Sequence, residues 1–161
     1  MKLILIAAVS KNGVIGKADA LPWYIPEDLK HFKQMTTGKA CLMGKRTFDS
    51  IMNRLKKPLP ERESIVVSRQ TDWQPPEGVK VFHSLEEALK YLEHHKEVMV
   101  IGGGQVYSQT IDKADKLILT EVHKEIDGDV LFPKFDKSLW NEVFREDHPE
   151  FSFVEYEKNE Q

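Results

Sequence analysis

The chain has 161 residues, 40% of them hydrophobic and 30% charged, a balance that fits one globular domain and excludes collagen-like, low-complexity and disordered chains. Lys plus Arg number 23 against 26 Asp plus Glu, and this formal charge of −3 argues against a nucleic-acid partner. The one cysteine, Cys41, can form no internal disulfide, which points to a reducing, cytoplasmic setting.

Met1-Lys2 and the apolar run behind it have the outline of a signal peptide, but the run sits at the short limit and Lys11 and Asn12 follow at once. A short, fully apolar stretch ending in Asn12-Gly13 reads as a buried strand of a parallel sheet, over residues 3–10. No run approaches the roughly 20 apolar residues of a membrane span. Further strands are expected over 40–43, 64–68, 79–82, 97–101 and 116–123, alternating with helices over 26–36, 46–52, 85–94 and 105–111. The third helix opens on a capping box, Ser84 and Glu87. Residues 140–147 and 151–157, aromatic and β-branched with Pro149 between them, read as an antiparallel hairpin on one sheet edge. The fold class expected is α/β: a predominantly parallel central sheet with an antiparallel C-terminal hairpin, flanked by about four helices. With no internal repeat, residues 1–161 are expected to be one domain.

Pro26 suits the first position of the first helix. Ile25, Leu29, Phe32 and Thr36 then mark an inward face, and Asp28, three after Ile25 and four before Phe32, falls on it. Glu27, Lys30, His31 and Gln34 are expected to point outward. A first-turn acid can simply complement the helix dipole, but Glu27 does that without facing inward. An inward Asp28 beside Trp23 and Phe32 therefore needs a polar ligand or partner, because an unpaired buried charge is too costly.

Met43-Gly44-Lys45-Arg46-Thr47-Phe48 passes from strand into helix, where free backbone N–H groups, two cations and a hydroxyl make an anion site. Ser68-Arg69 ends another strand, and strand ends of a parallel sheet share one crevice. Together they suggest a phosphate-rich ligand rather than a solvated basic turn. Gly102-Gly103-Gly104 follows an apolar strand, but Tyr107 occupies the sixth position and breaks the dinucleotide fingerprint. The glycines still permit a ligand to approach the backbone, or an unusual peptide geometry. No H-x-x-x-H, C-x-x-C or H-E-x-x-H pattern occurs, so no metal is expected. His94-His95 suits a helix end, and Cys41 suits an inert core.

The motifs Ile6-Ala7-Ala8, Gly13-Val14-Ile15-Gly16, Leu21-Pro22-Trp23, Pro26-Glu27-Asp28-Leu29, Met43-Gly44-Lys45-Arg46-Thr47-Phe48, Pro58-Leu59-Pro60-Glu61-Arg62, Ile101-Gly102-Gly103-Gly104-Gln105-Val106-Tyr107 and Gly128-Asp129 follow one another at characteristic spacing. In these the chain resembles the dihydrofolate reductase family, from about Leu3 to the C-terminal hairpin. The resemblance implies reduction of 7,8-dihydrofolate to tetrahydrofolate by NADPH, by hydride transfer to pterin C6 and protonation at N5. It places Asp28, Leu21, Trp23 and Thr120 at the catalytic centre, with Asp28 anchoring the pterin and Thr120 bonded to it. Ile6, Ala8, Leu29, Phe32, Ile51, Leu59 and Ile101 match the substrate wall, and Arg62 the clamp on the glutamate α-carboxylate, a bidentate task. Ala8, Ile15, Gly16, Gly44, Lys45, Arg46, Thr47, Ser68, Arg69, Gly103, Gly104, Gln105, Val106 and Tyr107 match contacts to NADPH. The segment from about Ser10 to Tyr24 matches a mobile loop. The implied partners are dihydrofolate and antifolate inhibitors, with no nucleic acid and no membrane, for a cytoplasmic monomer.

Two departures from the family pattern stand out. The connection through Met52 to Lys57 is longer than the family's tight run before Pro58, and Gln105 stands where some relatives have arginine. A pyrimidine reductase of the riboflavin-pathway type, or a nucleotide-binding module without catalysis, are the alternatives. Asp28 after Leu21-Pro22-Trp23, with Arg62, favours the folate reading.

Overall fold

The structure, a computed structural model, describes residues 1–16 and 23–159. In chain order its elements are β1 (Lys2–Ser10), β2 (Val14–Gly16), α1 (Pro26–Thr36), β3 (Ala40–Gly44), α2 (Lys45–Leu55), β4 (Glu63–Val67), β5 (Lys80–Phe82), α3 (Leu85–Leu92), β6 (Glu97–Gly102), α4 (Gly104–Thr110), β7 (Lys116–Val122), β8 (Val130–Leu131), β9 (Trp140–Asp147) and β10 (Phe151–Lys158). The eight-stranded sheet runs β5-β4-β3-β6-β1-β7-β10-β9. Every pair from β5 to β7 is parallel, and the C-terminal hairpin adds two antiparallel strands at the β7 edge. That is the expected architecture.

The apolar runs are continuous because both faces of the sheet are covered. Leu3 and Leu5 of β1 pack with Val98, Val100 and Leu117, beneath Ala88 and Leu92 of α3. Ile4 and Ile6 turn to the other face, with Met43, Met99 and Ile101, beneath Phe48 and Ile51 of α2 and Leu59. Cys41 lies on this second face, fully buried, and burial pushes its thiol up to about 12. It is core, as its sequence context indicated.

Several element ends differ from the sequence expectation. The α2 helix begins at Lys45 and continues three residues past Met52 to Leu55, where Lys56 closes it in the left-handed region at φ 63°. The lengthened connection is therefore partly helix. The α3 helix stops at Leu92, and His95 leaves it so that Nε2 lies 2.9 Å from Glu63 Oε1, an ion-pair geometry rather than a dipole contact. Ser84 Oγ accepts from the Glu87 N–H at 3.1 Å, while Glu87 Oε2 accepts from His83 N–H, one residue upstream of the cap. The small β2–β8 sheet was not expected, since three-residue and two-residue strands carry too little periodicity to be seen.

Candidate active site

Asp28 stands in the first turn of α1, whose start is set by Pro26 with no side-chain cap. Its carboxylate reaches the central sheet, where Thr120 Oγ1 of β7 donates to Asp28 Oδ1 at 2.6 Å. In the β1–β7 register Thr120 lies beside Ala8, and Ile118 beside Ile6, so these four side chains share the face under α1. Burial pushes the Asp28 carboxyl above its ordinary value; the Thr120 bond and the nearby His31 oppose that shift. The acid is thus held part-buried with one oxygen engaged.

Phe32, Ile51, Leu59 and Ile101 gather in the apolar cluster on this face. Leu59 is placed there even though the connection before it is lengthened. Leu29, expected on the wall, is 39% exposed and lies at the open side of α1. Trp23 packs with Ile25, Val122 and Phe153, and its Nε1 is buried with no hydrogen-bond partner among the described residues. Leu21, Pro22 and the central part of the expected mobile loop lie outside the described residues.

His31 corrects the helical reading. It was expected to point outward, yet it is 9% exposed and its ring stacks on Phe153 of β10, 4.1 Å between centroids at 15°. The apolar positions of α1 define a stripe, but they do not include the neighbour that the C-terminal hairpin brings up. That neighbour adds a second buried side to the helix. Burial pushes the His31 imidazole below its ordinary value, against the opposing pull of Asp28, Glu155 and Glu146.

At the end of α1, Arg62 donates from Nη1 to Thr36 Oγ1 at 3.0 Å and from Nε to the Pro60 carbonyl at 2.8 Å. Two of the five guanidinium N–H donors are spent on orientation, and three remain for a carboxylate.

The strand ends expected to form an anion crevice do meet. A Cβ at Gly44 would touch Val106 Cγ2 at 3.4 Å and reach Gly103 N at 4.0 Å, so the ends of β3 and β6 are adjacent. The helices that follow, α2 and α4, both begin without a side-chain cap and without an acid in the first turn. Thr47 Oγ1 lies beside Gly102 and Gly103, whose connecting peptide is cis. Lys45 Nζ is 2.9 Å from Asp49 Oδ2 and sits over the Trp73 ring, so part of its charge is already engaged. Ser68 is buried, and its hydroxyl accepts from Gln70 N–H at 3.1 Å, shaping the turn that presents Arg69. Tyr107 is core: its hydroxyl donates to the Ile6 carbonyl at 2.6 Å, and burial raises it. Ile15 and Gly16 sit on β2, held by β8. An open cavity of about 350 Å³ beside β8 is lined by Gly104, Gln105, Ser108, Gln109, Asp129, Val130 and Leu131, away from Asp28. Among the described residues no three His, Cys, Asp or Glu side chains group as metal ligands.

A family model described as dihydrofolate reductase matches residues 2–158. The dihydrofolate reductase type 3 of Salmonella typhimurium is 46% identical over 149 residues, covering 92% of this chain and 89% of the relative. Dihydrofolate reductase HdrB of Haloferax volcanii is 40% identical over 166 residues, with coverage of 99% and 85%. The solved structure of dihydrofolate reductase from Enterococcus faecalis, complexed with NADP(H) and RAB-propyl, superposes with a TM-score of 0.86 at 36% identity, covering 99% of this chain and 97% of that one.

Proposed function

The chain belongs to the dihydrofolate reductase family, and we propose that Asp28, bonded to Thr120, is where it anchors the pterin of its substrate. The reaction is the NADPH-dependent reduction of 7,8-dihydrofolate to 5,6,7,8-tetrahydrofolate, which supplies one-carbon metabolism. The observation that carries the assignment of Asp28 is its setting. One oxygen accepts the Thr120 hydroxyl at 2.6 Å, and no hydrogen bond from the described residues holds the other, which suits the N–H donors of a flat ring.

When bound, NADPH supplies the hydride received by pterin C6. Asp28 accepts hydrogen bonds from the pterin 2-amino and N3 groups. Its negative charge favours the ring protonated at N5, the more electrophilic form, and a site walled by Ile6, Phe32, Ile51, Leu59 and Ile101 strengthens that effect by excluding bulk water. Water delivers the N5 proton. Arg62, already oriented by Thr36 and Pro60, takes the glutamate α-carboxylate with its remaining donors.

The residues at the strand ends fit the cofactor. Two adjacent helix starts with uncapped N–H groups suit a diphosphate, and the absence of side chains at Gly44 and Gly103 leaves the backbone approachable. Lys45, Arg46, Thr47, Gly104, Gln105 and Val106 would hold the phosphate-bearing part there, with Ser68 and Arg69 at the adenosine end. Ala8, Ile15 and Gly16 would meet the nicotinamide. Antifolate inhibitors take the substrate's place in this reading. Residues 1–161 are read as one domain, since one sheet joins strands from Lys2 to Lys158. A cytoplasmic monomer is the simplest setting; no helix among the described residues is long and apolar enough to cross a membrane.

The test is loss of NADPH absorbance on adding dihydrofolate to the purified protein. Dihydrofolate-dependent oxidation is expected, and its absence would overturn the reading.

A further inference from the structure

We propose that His31 is a positioning residue for Asp28: its stack on Phe153 holds α1 in the rotation that keeps the carboxylate on Thr120. Asp28 and His31 are one helical turn apart on α1. Thr120 and Phe153 are direct partners across β7 and β10. The helix therefore touches one cross-strand pair at two points, through the 2.6 Å hydrogen bond and through the 4.1 Å ring stack. Phe32 on the sheet and Thr36 at Arg62 also tie α1 down. The His31 stack adds a tie one turn from the acid, on the strand pair that carries its hydrogen-bond partner.

The second contact is itself well supported. Phe153 packs against Phe151 at 5.1 Å and edge-on to His148 at 5.7 Å, and both phenylalanines are buried. His31 thus meets an aromatic block fixed by the hairpin. Its buried, flat ring suits that surface. Ile25, at the start of α1, lies in the same apolar cluster as Phe153, and no side-chain cap hydrogen bond adds to that contact.

The inference rests on Asp28 being the pterin anchor, and the experiment separates the two. In the unmodified protein, failure to oxidise NADPH with dihydrofolate overturns the anchor assignment and this inference with it. Given turnover, His31→Leu keeps apolar volume but cannot stack, whereas His31→Phe keeps a flat ring. The leucine variant is expected to lose about tenfold or more in kcat/KM for dihydrofolate, through misplacement of a reacting contact, with the KM for NADPH unchanged. The phenylalanine variant should stay within about threefold of the parent, and Phe153→Leu should resemble His31→Leu. The double variant His31→Leu, Phe153→Leu should lose no more than either single one, since both remove the same contact. Dihydrofolate kinetics within twofold of the parent for His31→Leu, equal losses for leucine and phenylalanine, or additive losses in the double variant would each overturn the proposal. If His31→Leu does not fold, Phe153→Leu against Phe153→Tyr makes the same comparison from the sheet side.

Discussion

Thr120 donates its hydroxyl to Asp28 across 92 positions of sequence, at 2.6 Å, and this bond joins the first helix to the centre of the sheet. It partly offsets the burial of the carboxylate without neutralising it. The result is an acid that is costly to keep charged in the folded chain and useful for that reason.

Asp28→Asn should expose both sides of that bargain. The variant retains a Thr120 partner but loses the charge that favours N5 protonation, so hydride transfer at neutral pH should fall about a hundredfold or more. The loss should shrink toward acid pH, where the substrate protonates unaided. Stability should move the other way. Because the folded carboxyl is raised above its ordinary value, the native state binds the proton more readily than the unfolded chain, and stability falls as pH rises through that window. Asparagine removes this penalty. Thermal unfolding of the variant should therefore occur at a higher temperature than the parent at pH 7, the difference narrowing as pH falls and closing only below about pH 3, where aspartate is protonated in both states. A variant no more stable than the parent at pH 7 would contradict the burial cost.

Arg62→Lys should weaken dihydrofolate binding and leave NADPH alone. Lysine keeps the charge but cannot hold Thr36 Oγ1 and the Pro60 carbonyl while presenting a two-pronged face. About 1–3 kcal/mol is at stake in the substrate KM. A pterin without the glutamate tail is the control. If its KM rises as much as that of the folate, Arg62 is not the carboxylate clamp.

Cofactor choice should follow Arg46 and Arg69. Both arginines stand at the turns proposed to meet the 2′-phosphate, and Lys45 beside them is engaged by Asp49 and Trp73. One charge-assisted contact is worth about 1.5–3 kcal/mol, which makes the expected preference for NADPH over NADH tenfold or greater in kcat/KM. Replacing both arginines by alanine should erode NADPH use and barely touch NADH. Equal use of the two cofactors by the parent would show the adenosine end to be misplaced.

Gly128 offers a steric test at β2. A Cβ there would overlap Val14 Cγ1 and approach the Gly16 carbonyl to 2.7 Å, both on β2. Gly128→Ala must push β2 away, and overpacking of this kind costs about 1–3 kcal/mol. Since Ile15 and Gly16 are proposed to meet the nicotinamide, steady-state kinetics should show a raised KM for NADPH and reduced turnover. Unchanged NADPH kinetics would separate β2 from the cofactor site.

What the sequence determined by itself was local. Pro26 and the three-four spacing around Asp28 set the start of α1 and turned the acid inward, because an N-terminal proline and helical geometry act within a few residues. Continuous apolar runs marked the buried strands, since a strand covered on both faces has no polar side to alternate with. Tertiary structure decided the partners. Nothing in the spacing pairs Thr120 with Asp28, and the family resemblance alone suggested it. The shared face of β1 and β7 is what brings the hydroxyl under the helix. His31 reads as solvent-facing on a helical wheel, because a wheel counts the residues on one helix and not the ring that another strand will lay beside it. Phe153 arrives more than a hundred residues later, on the last strand to join the sheet, and turns an apparently outward histidine into a buried one.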